Sequence, residues 1–485
     1  MSEVSKKEVI SSMLWKFFER ISVQGISFIV TIVLARLLSP EEYGTIAIIT
    51  VFVAIAQIVV EGGLSTALIQ KKDADNLDFS TIFYSSIAVS LLLSVILYLT
   101  APSISNFYNQ PELTPILRVL SVNLLIGAIN SVQVAYLSRN LLFKKMFYSS
   151  LVGAIMSGVV GISMATANFG VWSLVGQQIS SQFFITTVMW FTLRWRPDVS
   201  FSWKRFQTLF NYGWKIFATN FLISIFHNVR SLIIGKLYTR DMLGFFDRGR
   251  MLPNMAISSI DSTLKAVLLP VYSKSQDNRE ELKLMLRRSI KTSCVVIFPL
   301  MIGLIVTAKP LVLLLMSEKW LGAVPFVQIF ALALMLMPIQ SINMEAIKSM
   351  GFSGTLLKIE MMKKVLEFAI LFATMFISVY AIAWGTVIYN AICIIVNLYP
   401  NRKFINYGYR EQLSNILPEL VVSVLMGGIV YIYNFINAEV WQILIFQILS
   451  GGVVYIALCK LFKLESFDYI VNFAKSALKQ SNKNE

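Results

Sequence analysis

The sequence predicts an all-α polytopic membrane protein of about fourteen transmembrane helices: two pseudo-symmetric six-helix lobes followed by two C-terminal helices. Three observations carry this expectation. Of the 485 residues, 56% are hydrophobic and only 14% charged, more apolar surface than one soluble core can bury, so lipid must act as solvent. Apolar runs of about 20 residues, enough to cross a hydrocarbon layer of roughly 30 Å, recur along the whole chain. Finally, Val33-Leu34-Ala35-Arg36-Leu37-Leu38-Ser39-Pro40-Glu41-Glu42-Tyr43-Gly44 is matched by Ile233-Ile234-Gly235-Lys236-Leu237-Tyr238-Thr239-Arg240-Asp241-Met242-Leu243-Gly244. Each copy closes an apolar span that opens with a tryptophan, Trp15 or Trp214, so the bundle is read as a duplication.

The elements follow in order. Spans at 13–37, 43–62, 79–100, 114–136, 146–166 and 170–193 make the first lobe, residues 1–200. From Arg196-Pro197 to Phe210 the chain carries Trp203, Lys204, Arg205 and Phe206 and is expected to form an interfacial amphipathic link. Spans at 212–235, 243–268, 290–308, 322–346, 360–380 and 382–399 make the second lobe, residues 201–411. A further internal match pairs Pro115 to Val132 with Pro325 to Ile342. Spans at 414–435 and 440–459 form the additional pair, residues 412–461, and residues 462–485 are expected to be a basic tail. Pro253, Pro299 and Pro338 fall inside spans and permit kinks. An even number of spans per repeat gives both halves one orientation, with substrate expected between them near mid-membrane.

The net charge of +15 follows the membrane and does not suggest nucleic acid. With the N-terminus inside, one side holds Lys6 and Lys7, Lys71 and Lys72, Arg139 to Lys145, Arg194 to Arg205, Lys274 to Arg288, Lys348 to Lys364, Arg402 to Arg410, and the tail cations Lys460, Lys463, Lys475, Lys479 and Lys483. The other side holds little beyond Arg36, Lys236, Arg240, Lys309 and Lys319. Both termini are therefore expected to be cytoplasmic. The polar start leads into span 1 without a small-residue cleavage site, so that span is expected to remain as an anchor. The opposite loops are short, the longest near Ala101 to Leu113, which leaves no room for an external domain. One histidine, three scattered cysteines and no GxxxxGK[ST] loop exclude the HExxH zinc site, the disulfide framework and the ATP-binding loop. No metal and no cofactor is expected.

Four spans carry polar residues at helical spacing, which gathers them on one face. Span 1 shows Lys16, Arg20, Gln24, Ser27 and Thr31; span 2 shows Thr50, Gln57 and Glu61. Span 7 shows Asn220, Ser224, His227, Asn228 and Ser231 beside Arg230; span 8 shows Asp247, Arg250, Asn254, Ser258, Asp261 and Lys265. A charge at bilayer centre costs at least about 2.5–3.5 kcal/mol, so these faces are expected to line a shared aqueous cavity. Lys16, Arg20, Gln24, Gln57, Asn220, Asn228, Arg230, Arg250, Asn254 and Lys265 are the candidate substrate ligands. Their basic excess suits an anionic headgroup. Glu61, His227 and Asp261 are the candidate ion-coupling groups. Alternatives stay open: Lys16 and Arg20 could snorkel, Asp261 and Lys265 could pair locally, Glu61 could be interfacial, and His227 could be a hydrogen-bonded helix contact.

The run from Leu34 to Gly44, followed by Gly62-Gly63-Leu64-Ser65-Thr66-Ala67-Leu68-Ile69-Gln70, resembles the opening signature of the Wzx-type bacterial polysaccharide flippases. These belong to the multidrug, oligosaccharidyl-lipid and polysaccharide exporter superfamily. The resemblance implies a non-enzymatic carrier in the inner membrane that moves an undecaprenyl-pyrophosphate-linked oligosaccharide to the outer leaflet by alternating access. It also implies membrane lipids, a polysaccharide polymerase and chain-length machinery as surroundings. Its central cavity would draw Lys16, Arg20, Arg230, Arg250 and Lys265 as cations. Rival readings are an ion-coupled drug or metabolite exporter of the same superfamily, a membrane glycosyltransferase, polymerase or ligase, and an assembly scaffold.

Overall fold

The computed structural model describes residues 6–481, and its regular structure is helical, with no strand among the described residues. Lys483, and the side chains of Lys6, Lys7 and Lys479, lie outside what is described. Packing divides the chain into two compact units, Met1–Gly244 and Phe245–Glu485. A helix stands at each of the fourteen expected spans, and among the described residues eleven helical segments are long and apolar enough to cross a membrane. The helices at 170–193, 243–268 and 360–380 fall outside those eleven.

The first unit begins with α1 (Lys6–Leu37), α2 (Pro40–Glu61), α3 (Leu64–Gln70) and α4 (Asn76–Tyr108). The duplicated motif is a helix-start signal. Ser39 and Glu42 form a reciprocal capping box, with the Ser39 amide donating to Glu42 at 2.6 Å, and Pro40 occupies the first turn, where its missing N–H costs nothing. Gly62 ends α2 in the left-handed conformation, and Gly63 continues it at φ +67. Asp75 and Asp78 cap α4 in the same reciprocal way.

Next come α5 (Leu113–Leu120), α6 (Val122–Arg139), α7 (Phe143–Thr166), α8 (Val171–Thr192) and α9 (Trp203–Leu237). The expected span at 114–136 is broken at Ser121, whose carbonyl accepts a hydrogen bond from Ser94 Oγ at 2.8 Å. A hydroxyl from α4 thus satisfies a backbone group at the break. Arg139 closes the other end, donating to the carbonyls of Leu68 at 2.9 Å, Lys72 at 2.6 Å and Lys71. The expected interfacial link at 196–210 is corrected: only 193–202 is irregular, and Trp203 to Phe210 form the first turns of one continuous α9. The loop expected from Ala101 shrinks likewise, because α4 continues to Tyr108. In sequence α9 opens the second copy, but it packs in the first unit.

In the second unit, α10 (Arg240–Lys274, in this unit from Phe245), α11 (Arg279–Met316), α12 (Val324–Leu334), α13 (Met337–Ser349), α14 (Ser353–Thr374) and α15 (Val379–Ile405) are followed by α16 (Tyr409–Tyr431), α17 (Val440–Leu461) and α18 (Glu465–Ser481). Its core gathers Tyr272, Leu286, Ile290, Phe298, Ile342 and Tyr407. The expected span at 322–346 is two helices, because Pro338 sits in the first turn of α13 instead of kinking a continuous helix. The partner stretch in the internal match, α5–α6, is also a broken helix, so the duplication extends to this irregularity. The expected basic tail contains a helix, α18.

Candidate functional site

Both copies of the duplicated motif start a helix. Thr239 Oγ1 accepts from the Met242 amide at 3.4 Å, in the position that Ser39 occupies before α2. Within the first unit the two starts press backbone against backbone. A Cβ on Gly44 would run into the Arg240 carbonyl, and one on Gly244 into the Pro40 carbonyl. The glycines at the motif ends are therefore what allow the approach. Beside them Arg240 pairs with Glu41 and, at 2.9 Å, with Glu112, at the edge of a polar cavity of about 360 Å³. Both carboxylates are largely solvated, at 47% and 62% exposure. Exposed pairs contribute about 0.2–1 kcal/mol each, so Arg240→Ala is expected to lower stability by under roughly 2 kcal/mol in a detergent melting experiment. A larger loss would show that the ion pairs, and not the glycine contacts, hold this seam.

The seam continues down α9. Gly235 lies against Ile48, and Gly213 meets the Gly62–Gly63 turn, where a Cβ on Gly213 would stand 3.1 Å from the Gly62 carbonyl oxygen. Helix α2 is thereby held to α9 along most of its length. Helix α1 rests instead on α7, through Trp15 against Phe147 at 5.4 Å and Ser150 donating to Glu19 at 3.0 Å.

The candidate ligands of the first unit divide by environment. Lys16 pairs with Glu19 at 2.6 Å and approaches Met146, so its charge is balanced on its own helix by a residue the sequence reading passed over. Arg20 is exposed and makes no ion pair among the described residues, and Gln24 is half-buried. Gln57 donates to Glu61 at 3.4 Å and lies against Gly127 of α6. Asn228 Nδ2 donates to the Ser224 carbonyl at 2.8 Å, which satisfies it within α9. Asn220 and His227 are exposed, and Arg230 is half-buried.

In the second unit Arg250 is half-buried and Asn254 exposed on α10. Asp261 is buried at 4% exposure and pairs with Lys265 at 2.6 Å, one turn away. The local pair weighed from the spacing is thus present. Among the described residues Asp261 Oδ1 has no hydrogen-bond partner, so the pair leaves acceptor capacity at this position. The structure joins the candidates Glu61 and Gln57 directly, and likewise Asp261 and Lys265. Among the described residues no group of three or more His, Cys, Asp or Glu is placed to hold a metal, and the three cysteines are free and buried.

The profile of the family described as "Polysaccharide biosynthesis protein" matches residues 33–325, which begins in the first motif copy and spans the second. The chain belongs to this family. Among curated relatives of this polysaccharide biosynthesis protein, the succinoglycan biosynthesis transport protein ExoT of Rhizobium meliloti is 23% identical over 68% of this chain and 67% of its own length. The teichuronic acid biosynthesis protein TuaB of Bacillus subtilis is 24% identical over 88% of this chain and 89% of its own. Among solved structures, the lipid II flippase MurJ in an inward closed conformation superposes with a TM-score of 0.73, at 16% identity, over 93% of this chain and 98% of MurJ. An inward-facing multidrug MATE transporter gives 0.61 at 16% identity over 80% and 98%. At that identity the likeness establishes the fold: this polysaccharide biosynthesis protein is a multi-pass, all-α membrane protein built like these transporters.

Proposed function

We propose that the chain is a flippase that carries a lipid-linked oligosaccharide, with undecaprenyl pyrophosphate as its anchor, from the cytoplasmic to the outer leaflet by alternating access. The observation that carries this reading is the set of polar faces on α1, α2, α9 and α10, basic in balance, in a chain whose relatives serve polysaccharide biosynthesis. Guanidinium groups suit a pyrophosphate because they replace lost water with bidentate, charge-assisted hydrogen bonds. Arg20 and Arg250 are the strongest candidates: one is exposed without an ion pair among the described residues, the other half-buried. The chemistry asks only for binding and reorientation, with no bond made or broken. Both termini lie in the cytoplasm and the membrane is the inner one in this reading.

In cells lacking the native copy, Arg20→Ala and Arg250→Ala are expected to accumulate lipid-linked oligosaccharide and lose at least about tenfold in surface polymer, one such contact being worth about 1.5–3 kcal/mol. Membrane levels should match wild type, and Lys358→Ala, on an exposed site outside the stripes, should be silent. Full polymer in both arginine variants would overturn the binding role. A second reading, an ion-coupled exporter, is favoured by the unpartnered Oδ1 of buried Asp261. Under that reading surface polymer stays normal even when the chain is deleted, so loss of polymer in the deletion would remove it.

A further inference from the structure

We propose that the pocket where α18 meets the start of α11 binds the phosphate of an anionic phospholipid, with an acyl chain lying in the apolar groove farther along α11. The pocket, about 390 Å³, is lined by Arg287, Arg288 and Lys291 of α11 and by Glu465, Ser466 and Tyr469 of α18. Lys291 pairs with Glu465 at 2.9 Å, whereas Arg287 and Arg288 make no ion pair among the described residues. The pocket therefore holds three cations, two of them guanidiniums, against the single carboxylate of Glu465. That geometry and charge suit a phosphate, which two guanidinium forks can bracket.

Its depth is that of lipid headgroups. Lys291 is the last charge before an uncharged run from Thr292 to Ala308, and α17 is uncharged from Val440 to Cys459 before Lys460. Both helices thus cross from water into hydrocarbon at this level, and Tyr469 adds an amphipathic ring at the boundary. Helix α18 is fixed there: Ser466 Oγ donates to the buried Glu419 carboxylate at 2.8 Å, and Leu464 and Phe467 join the core of α16 and α17. The pocket is consequently preformed. The Lys291 ammonium holds the Glu465 carboxyl below the usual carboxylate range, so that tie stays ionised at neutral pH.

A second observation points to a lipid and away from a soluble anion. A groove of about 470 Å³ runs between α11 and α17, lined by Pro299, Gly303 and Thr307 on one side and Ile448, Gly452 and Tyr455 on the other. Pro299 is eleven residues after Arg288, three helical turns, so both lie on one face of α11 about 16 Å apart. A phosphate at Arg288 therefore points its glycerol and acyl chain at this groove. Gly303 and Gly452 have open space where a side chain would begin, which leaves the groove unfilled. Basic pockets over such helices are established headgroup seats in membrane proteins.

The test uses the full chain purified in neutral detergent and titrated with phosphatidylglycerol, with phosphatidylcholine of the same acyl chains, and with inorganic phosphate. The melting midpoint and the lipid retained in native mass spectra are read. Phosphatidylglycerol should raise the midpoint and be retained, and the Arg287→Gln/Arg288→Gln variant should bind it roughly thirty-fold more weakly. Gly303→Leu, which leaves every charge in place, should also lose retention, so the proposal stays testable if the arginine variant folds poorly. Equal retention in wild type and both variants would overturn it. Stabilisation by inorganic phosphate equal to that by phosphatidylglycerol would overturn the lipid assignment as well.

Discussion

Gly63→Ala should destabilise the protein by about 2–5 kcal/mol. Two costs add. The residue sits at φ +67, a left-handed conformation that costs an L side chain about 1–2 kcal/mol. The new Cβ would also run into the Gly213 carbonyl on α9, and overpacking costs roughly another 1–3 kcal/mol. The obstacle is backbone on both sides, so no rotamer change relieves it. Melting of the detergent-solubilised protein, followed by tryptophan fluorescence, measures the loss. Gly25→Ala is the control: nothing lies within 4 Å of its Cβ position, and helix propensity alone should make it neutral or stabilising by up to about 1 kcal/mol. Equal midpoints for the two variants would show that α2–α3 and α9 are not held through this turn.

Asp78→Ala is expected to cost about 2–4 kcal/mol, from lost charge-assisted hydrogen bonds and a lost helix cap. Its side chain is fully buried and accepts from Lys71 at 2.6 Å and Arg205 at 3.1 Å, joining the end of α3, the start of α4 and the start of α9. Losing the buried carboxylate removes both of its charge-assisted contacts, although Arg205 keeps Asp75 at 2.7 Å. The Asp75 amide also donates to Asp78 at 3.2 Å, so the α4 cap is lost with it. Lys71→Met should cost much less, because Lys71 is 29% exposed and Arg205 stays beside the carboxylate. The same melting experiment decides: a shift no larger than that of exposed Asp73→Ala would mean the network contributes nothing.

Lipid explains why so much of the fold was legible. Helices are the only way for this chain to satisfy its backbone in hydrocarbon without strands, so apolar length alone located a helix at each expected span. The Leu34–Gly44 signature was legible for a different reason, since Ser39, Pro40 and Glu42 are local capping chemistry that needs no tertiary context. What escaped was non-local. The break at Ser121 depends on a hydroxyl 27 positions earlier, and the bridge at Asp78 on an arginine that the repeat pattern assigned to the other half. Glu19 was missed because it lies off the polar stripe, although it neutralises Lys16. The amphipathic α18 was hidden in a tail read for its charge alone.

Helix α9 is a late arrival to the unit it completes. In the folded unit Gly213 and Gly235 of α9 cover the Gly62–Gly63 turn and the Ile48 flank of α2, so a nascent chain that has released only its first six spans still lacks that cover. Translation of the first repeat therefore ends with an unfinished surface in the bilayer, one that must wait for the opening segment of its own duplicate. A chain cut at the repeat boundary would be less than half a protein, because the cut removes the helix that its remaining portion was shaped to receive.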